Sequence, residues 1–320
     1  NDIALRMAEA RTHKRGVIAT DHTYHGNTSA VSQLSRTNPP TTGYGGHVRH
    51  VPAPDSYRPL GGEGGKAHAL AFAAEVKSAI GDLEASEHGF SSIIICPFFG
   101  NEGFPDLDKG FLEPTEKVVR EAGGIIIADE VQPGFGRLGT HMWGHQKSEL
   151  TPDVVTLGKP MGNGHPVAGV VTSLETMTTF RESFRYFNTF GGNPVSCAAA
   201  MAVLNVMEEE GLMEQARDVG DYARAGLKEL AQRHEAIGDV RGSGLFFGAE
   251  MVLDRNTKEP AIDFTNRVAN EMRQRGVLLN KLGIHYNTLK IRPNLQFTRE
   301  NADLLLSTLD TVLSTVPLHP

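Results

Sequence analysis

Two residues in the stretch 124–164 stand where side chains meet ligands. Asp129 closes the apolar run Ile125-Ile126-Ile127-Ala128, and Lys159 follows the run Val154-Val155-Thr156-Leu157 after a single glycine. Short β-branched runs bounded by Gly and Pro read as strands buried on both faces, which predicts a parallel sheet. In open parallel sheets, ligands gather outside the carboxyl ends of the strands. A carboxylate and a primary amine at two such ends can therefore face one ligand. A buried carboxylate needs a partner. An amine held near apolar walls loses basicity and becomes a nucleophile at neutral pH. Each residue also has an ordinary alternative. Asp129 could be an N-cap or ion-pair aspartate. An isolated Lys159 would read better as a surface lysine at a strand exit.

A carboxylate against a pyridinium nitrogen and a lysine forming an imine are what pyridoxal 5′-phosphate (PLP) requires. The segments Ala128-Asp129-Glu130-Val131-Gln132-x-Gly134-Phe135-Gly136-Arg137-x-Gly139 and Pro152-Asp153-x-x-Thr156-x-Gly158-Lys159-Pro160-x-Gly162-Asn163-Gly164 resemble the signature of class III PLP-dependent aminotransferases. The resemblance runs from Asn1 to near Pro320, and the run 158–169 is similar to the alanine–glyoxylate aminotransferase and phospho-lyase branch. It implies the PLP-dependent transferase fold type I: an α/β protein with a mostly parallel seven-stranded sheet and a smaller α/β C-terminal domain, working as a homodimer with shared active sites. Six of the strands are visible in the sequence. The resemblance also implies a phosphate-holding loop ahead of Asn1.

By that resemblance Lys159 carries PLP and serves as general acid/base, and Asp129 pairs with the ring nitrogen. Val131 packs against one ring face and Gln132 donates to the ring oxygen. Tyr24-His25-Gly26 occupies the place of an aromatic-His-Gly motif, with Tyr24 on the other ring face and Gly26 allowing close backbone approach. Thr189, in Asn188-Thr189-Phe190-Gly191-Gly192-Asn193-Pro194, reaches the phosphate of the partner subunit. Taken without the resemblance, Tyr24 and His25 are ordinary turn packing and the Thr189 loop is a polar turn before a helix. Two departures stand out. Cys96-Pro97-Phe98-Phe99-Gly100 lies where the family often has Glu-Pro-x-x-Gly, and Lys290 in Leu289-Lys290-Ile291-Arg292-Pro293 lies where it often has Arg. An Arg fork grips a planar carboxylate, whereas Lys offers a point charge that suits phosphate as well. Lys290 and Arg292 share a strand face by alternation and are the expected substrate-binding cations, against solvated charges on an edge strand.

The frame that must position these residues is read as a doubly wound α/β sheet. Strands are predicted at 16–20, 47–52, 91–98, 125–128, 154–157 and 167–173, with helices at 1–11, 68–80 and 112–122. Beyond them come helices at 198–210 and 213–233, a Gly-rich strand at 240–248, a helix at 263–275, a strand at 289–292 and a last helix at 299–313. The expected domains are 1–215, a PLP-binding domain incomplete at its N-terminus, and 216–320, a small C-terminal domain.

Composition bounds the rest. With 39% hydrophobic and 22% charged residues, the 320-residue chain suits a globular protein. A net charge of −7 without a basic block argues against nucleic acid. No apolar run approaches a membrane span. Two cysteines, Cys96 and Cys197, make no disulfide framework and point to a reducing cytoplasm. Gly134-x-Gly136-x-x-Gly139 matches the dinucleotide fingerprint by letter, but no apolar helix follows it. His141 and His145 lack the acid of a zinc motif and read as surface histidines, so no metal is expected. The reading is a PLP-dependent aminotransferase moving an amino group from an amine or amino acid to a keto acid or aldehyde. The alternatives are a PLP-dependent phospho-lyase acting on an O-phosphorylated amine and an inactive binding protein of the same fold.

Overall fold

Residues 1–319 are described by a computed structural model. They form two compact units, one of residues 1–99, 107–135 and 143–209, the other of 100–106, 136–142 and everything from 210 on. The first unit runs α1 (Asp2–Thr12), β1 (Gly16–Thr20), β2 (Val48–Val51), α2 (Gly65–Glu84), β3 (Phe90–Ile95), α3 (Glu113–Glu121), β4 (Ile125–Asp129), the single turn α4 (Gly144–Lys147), β5 (Val154–Leu157), β6 (Gly169–Thr172), α5 (Leu174–Ser183) and α6 (Pro194–Glu209). Its strands lie in the order β2-β1-β3-β4-β5-β6. All neighbours are parallel except β5 and β6, which are antiparallel. This is the mostly parallel α/β sheet expected of the sequence.

Side chains alternate across a strand, so an unbroken apolar run feeds two cores. Ile18, Ile93, Ile95 and Ile126 pack on one face with Phe72, Val76 and Leu83 of α2 and Val119 of α3. Val17, Ala19, Ile94, Ile125, Ile127 and Val154 pack on the other with Ala4, Met7 and Ala8 of α1 and Phe180 of α5. Burying each such isoleucine contributes about 1.5–3 kcal/mol. The central strands are therefore the rigid part, and the residues at their carboxyl ends are held in place by them. Strand β5 departs from the reading, because Val155 and Leu157 are only half-buried. Helix α5 was not legible. Its run LETMTTFRES is rich in Thr, and its start is fixed by the Ser173 hydroxyl, which accepts from the Thr176 N–H at 3.2 Å.

The second unit runs α7 (Leu212–Arg233), β7 (Ile237–Ser243), β8 (Phe246–Asp254), β9 (Glu259–Pro260), α8 (Ile262–Gln274), β10 (Asn280–Leu282), β11 (Thr288–Ile291) and α9 (Arg299–Thr315). Its antiparallel sheet has the order β10-β11-β8-β7, with β9 added to β8. Phe247, Ala249, Met251, Leu289 and Ile291 face Leu227, Val268 and Leu309 of the helices. The Gly-rich run 240–248, read as one strand, is instead a hairpin. The chain reverses at Gly244 and Leu245, with Gly244 at φ +52° and its would-be Cβ 2.4 Å from the Arg137 carbonyl oxygen. Only glycine fits there. Strand β10 was also missed, being three residues long with one apolar position.

Candidate active site

The end of β4 carries a buried and heavily braced carboxylate. Asp129 is 5% exposed. Its Oδ2 accepts from His25 Nδ1 at 2.6 Å and from Asn1 Nδ2 at 2.9 Å, and its Oδ1 accepts from the Val131 N–H at 3.0 Å. Burial by itself pushes the Asp129 carboxyl up. The bonds from His25, Val131 and Asn1 outweigh it and hold the group below the ordinary carboxylate range. Asp129 is thus ionised at neutral pH with its oxygens fixed.

The segment after β1 supplies the brace. Thr23 and His25 turn inward and Tyr24, between them, turns outward, the alternation of an extended chain. The His25 ring is fully buried, with Nε2 3.0 Å from the Thr23 hydroxyl and Nδ1 on Asp129. Both ring nitrogens are therefore engaged within the protein. His25 thus stands against Asp129 and fixes its Oδ2. Gly26 adopts φ +139°, a conformation side chains rarely take, and a Cβ there would come 3.2 Å from Val31.

Strand β5 lies beside β4 with Thr156 paired to Asp129. Three residues on, Lys159 opens a short 3₁₀ turn, Lys159–Gly162. Lys159 is exposed, not enclosed by apolar walls as expected. Its Nζ lies 5.9 Å from the centroid of the Tyr24 ring, within cation–π range. The Val131 methyl groups lie 3.5 Å from where a Gly158 Cβ would stand, so Val131 sits beside the backbone that carries Lys159. Gln132 comes next in the chain, half-buried. Tyr24, Asp129, Val131 and Lys159 thus converge at the carboxyl ends of β1, β4 and β5, the place where open α/β sheets take ligands. An aromatic face, an ionised buried carboxylate and a primary amine are the donor set a pyridine aldehyde needs, and PLP fits it.

Thr189 lies on the exposed segment between α5 and α6, in a turn closed by Asn188 Oδ1, which accepts from the N–H groups of Phe190 and Gly191 at 3.3 and 3.0 Å. In the second unit, Lys290 and Arg292 both line a cavity of about 660 Å³ with Leu278, Leu279 and Phe297. Lys290 Nζ stands 6.0 Å from the Phe246 ring centroid. Burial, and after it the neighbouring Arg292, push the Arg137 guanidinium down to about 10.

Three polar residues of the first unit escaped the sequence reading. Asn1 and Thr156 bond around Asp129. Glu130, fully buried, accepts from the Gly144 N–H at 2.8 Å, the His145 N–H at 2.7 Å and His145 Nδ1 at 2.8 Å. His145 is therefore an anchor of Glu130 and not a free surface histidine. The Asp-Glu pair at a strand end was a signal for Glu130. Asn1 carried none beyond its place before a helix.

The family description "Aminotransferase class-III" matches residues 1–313, and the chain belongs to that family, whose members depend on PLP. An alanine–glyoxylate aminotransferase 2-like protein of Drosophila melanogaster is 40% identical over 324 residues, covering 96% of this chain and 64% of that protein. The ethanolamine-phosphate phospho-lyase homolog 1 of Caenorhabditis elegans is 37% identical, covering 98% of this chain and 70% of that one. Among solved structures, a phospholyase from Arthrobacter in complex with phosphoethanolamine is 42% identical with a TM-score of 0.92, over 99% of this chain and 75% of that one. A Bacillus anthracis aminotransferase reaches a TM-score of 0.87 at 28% identity, over 98% of this chain and 74% of that one. The chain spans 64% of the length of the fly relative.

Proposed function

We propose that the protein is a PLP-dependent aminotransferase that moves an amino group from an amine or amino acid to a keto acid or aldehyde. The observation that carries this is the ionised, braced Asp129 beside the ring of Tyr24 and the exposed amine of Lys159. When bound, PLP supplies an electron sink for charge developing on the substrate carbon. Asp129, ionised and fixed in place by His25, would hold a proton on the ring nitrogen. Tyr24 and Val131 would flank the ring, Gln132 would donate to the ring oxygen, and Gly26 would admit the backbone. Lys159 Nζ would hold the cofactor and could carry the substrate proton. Its exposure leaves the amine open to an incoming substrate. Residues 1–215 form the cofactor-carrying domain in this reading, and 216–320 the smaller one, with Lys290 and Arg292 taking the substrate's anionic end.

The homodimer belongs to the same proposal. Helix α6 is apolar along its length, yet Ser196 is the buried residue on it, while Val195 and Met201 are 67% and 55% exposed. An uncovered apolar helix is the pattern of an interface. Thr189 lies on the segment leading into it and would serve the partner's phosphate. Among the described residues no helix is long and apolar enough to cross a membrane, and the cytoplasm is the compartment proposed.

The second reading, a phospho-lyase acting on an O-phosphorylated amine, is favoured by Lys290 at the place of the usual Arg and by the likeness to the Arthrobacter phospholyase. One assay separates the two. Keto-acid-dependent loss of an amine, with no inorganic phosphate released from phosphoamines, supports the aminotransferase. Phosphate release without any keto acid supports the lyase. Neither activity, in protein that holds PLP, leaves the binding-protein alternative.

A further inference from the structure

The side chain of Asn1 bonds to three separate elements at once. Its Oδ1 accepts from the Thr156 hydroxyl at 2.7 Å. The His25 carbonyl and the Asp129 carboxylate can only accept, so the amide end facing them is Nδ2 and Oδ1 is left for the Thr156 hydroxyl. The Nδ2 end is thereby directed at the His25 carbonyl oxygen, 2.6 Å away, and at Asp129 Oδ2, 2.9 Å away. Each Nδ2 hydrogen has one acceptor, so the amide has no rotational choice left. The amide also stands at the start of α1 without capping it, since no cap bond from its side chain exists. An Asn before a helix ordinarily spends its side chain on the helix N–H groups. Here it is spent on the carboxylate instead.

The geometry points to Asn1 as a positioning residue for Asp129, one that sets the plane of the carboxylate at the end of β4 and keeps His25 on the same oxygen. Thr156 is the second member of the device. Its side chain orients the amide while its backbone carbonyl holds the Glu130 N–H at 3.0 Å. His25 and Asn1 converge on Oδ2, which prevents the carboxylate from rotating about its Cβ–Cγ bond. The inference rests on the functional reading above for its relevance to PLP, and on the protein's own bonds for its geometry.

The test uses the full chain as wild type, Asn1→Ala, Asn1→Asp and Thr156→Val. The first readout is the His25 Nδ1 proton by NMR in cofactor-free protein. Wild type should show a downfield imidazole resonance from the 2.6 Å bond to Asp129, and Asn1→Ala should broaden it or shift it upfield. The second readout is the PLP dissociation constant. Asn1→Ala should weaken it about tenfold, the size of one lost charge-assisted hydrogen bond. Asn1→Asp should weaken it more, because a second carboxylate then faces Oδ2. Thr156→Val, which leaves Asn1 untouched, should give a smaller loss in the same direction and keeps the test alive if Asn1→Ala folds poorly. Variants that only melt earlier, with the His25 resonance and PLP affinity as in wild type, overturn the inference. A wild-type chain that takes up no PLP counts against the functional reading, while the His25 resonance still decides this one.

Discussion

Adjacent strands of one sheet end in opposite ways. Strand β4 closes on Asp129, buried and held by three donors, with Glu130 behind it held by three more. Just past β5, Lys159 is exposed at the first position of a one-turn 3₁₀ helix, its Nζ 5.9 Å from the Tyr24 ring centroid. Charge that must hold still is locked into the core, where a low dielectric strengthens each bond. The amine proposed to react is left where it can move. A rigid carboxylate and a mobile amine are therefore separated by the width of one strand spacing.

Substitutions at the two ends should show that separation. The largest expected effect is at the open end. Lys159→Ala should lower turnover by on the order of 10⁴-fold or more, yet change stability by less than about 0.5 kcal/mol, as exposed positions do. Kinetics and a thermal melt on one preparation check both halves, and a large drop in melting temperature would contradict the picture of a loosely held lysine. At the braced end, Asp129→Asn should cost about 10²–10⁴-fold in rate and also destabilise the fold by about 1–3 kcal/mol, because His25 Nδ1–H then faces an amide.

The pH dependence sharpens the contrast further. The folded-state pKa of Asp129 lies below its unfolded value. Its contribution to stability is therefore fully present above the ordinary Asp pKa of about 3.9 and is lost as pH falls through the lower folded value. Melting temperatures of wild type should fall through that acid window, and Asp129→Asn should flatten the fall, whereas Lys159→Ala should follow wild type throughout. The smallest effect on turnover is expected from Glu130→Gln. It keeps an acceptor oxygen for one of the Gly144 and His145 N–H groups but loses the charge, so it should destabilise by about 1–3 kcal/mol with turnover reduced only severalfold. Loss of turnover as deep as in Asp129→Asn would place Glu130 in the chemistry.

Legibility in the sequence depends on how far each feature reaches along the chain. The isoleucine runs 93–95 and 125–127 declare strands buried on both faces, and strand ends declare Asp129 and Lys159, because these are local patterns. The hairpin at Gly244 was hidden because its two strands share one Gly-rich run, and β10 because three residues carry no period. The bracing of Asp129 was illegible for a different reason. Asn1 and Asp129 are 128 positions apart, and His25 and Asp129 are 104 apart. Nothing in the type of an Asn or a His says which distant carboxylate it will meet. The exposure of Lys159 was likewise beyond a local reading, since burial at a strand end depends on which other segments cover it.

The central claim is that the site between the braced carboxylate and the open amine takes PLP on Lys159. Reduction of the PLP-loaded protein with borohydride, then digestion and peptide mass analysis, tests it directly. A phosphopyridoxyl adduct is expected on the peptide containing Lys159, together with its loss in Lys159→Ala. An adduct mapped to a different lysine, or one undiminished in that variant, would contradict the claim.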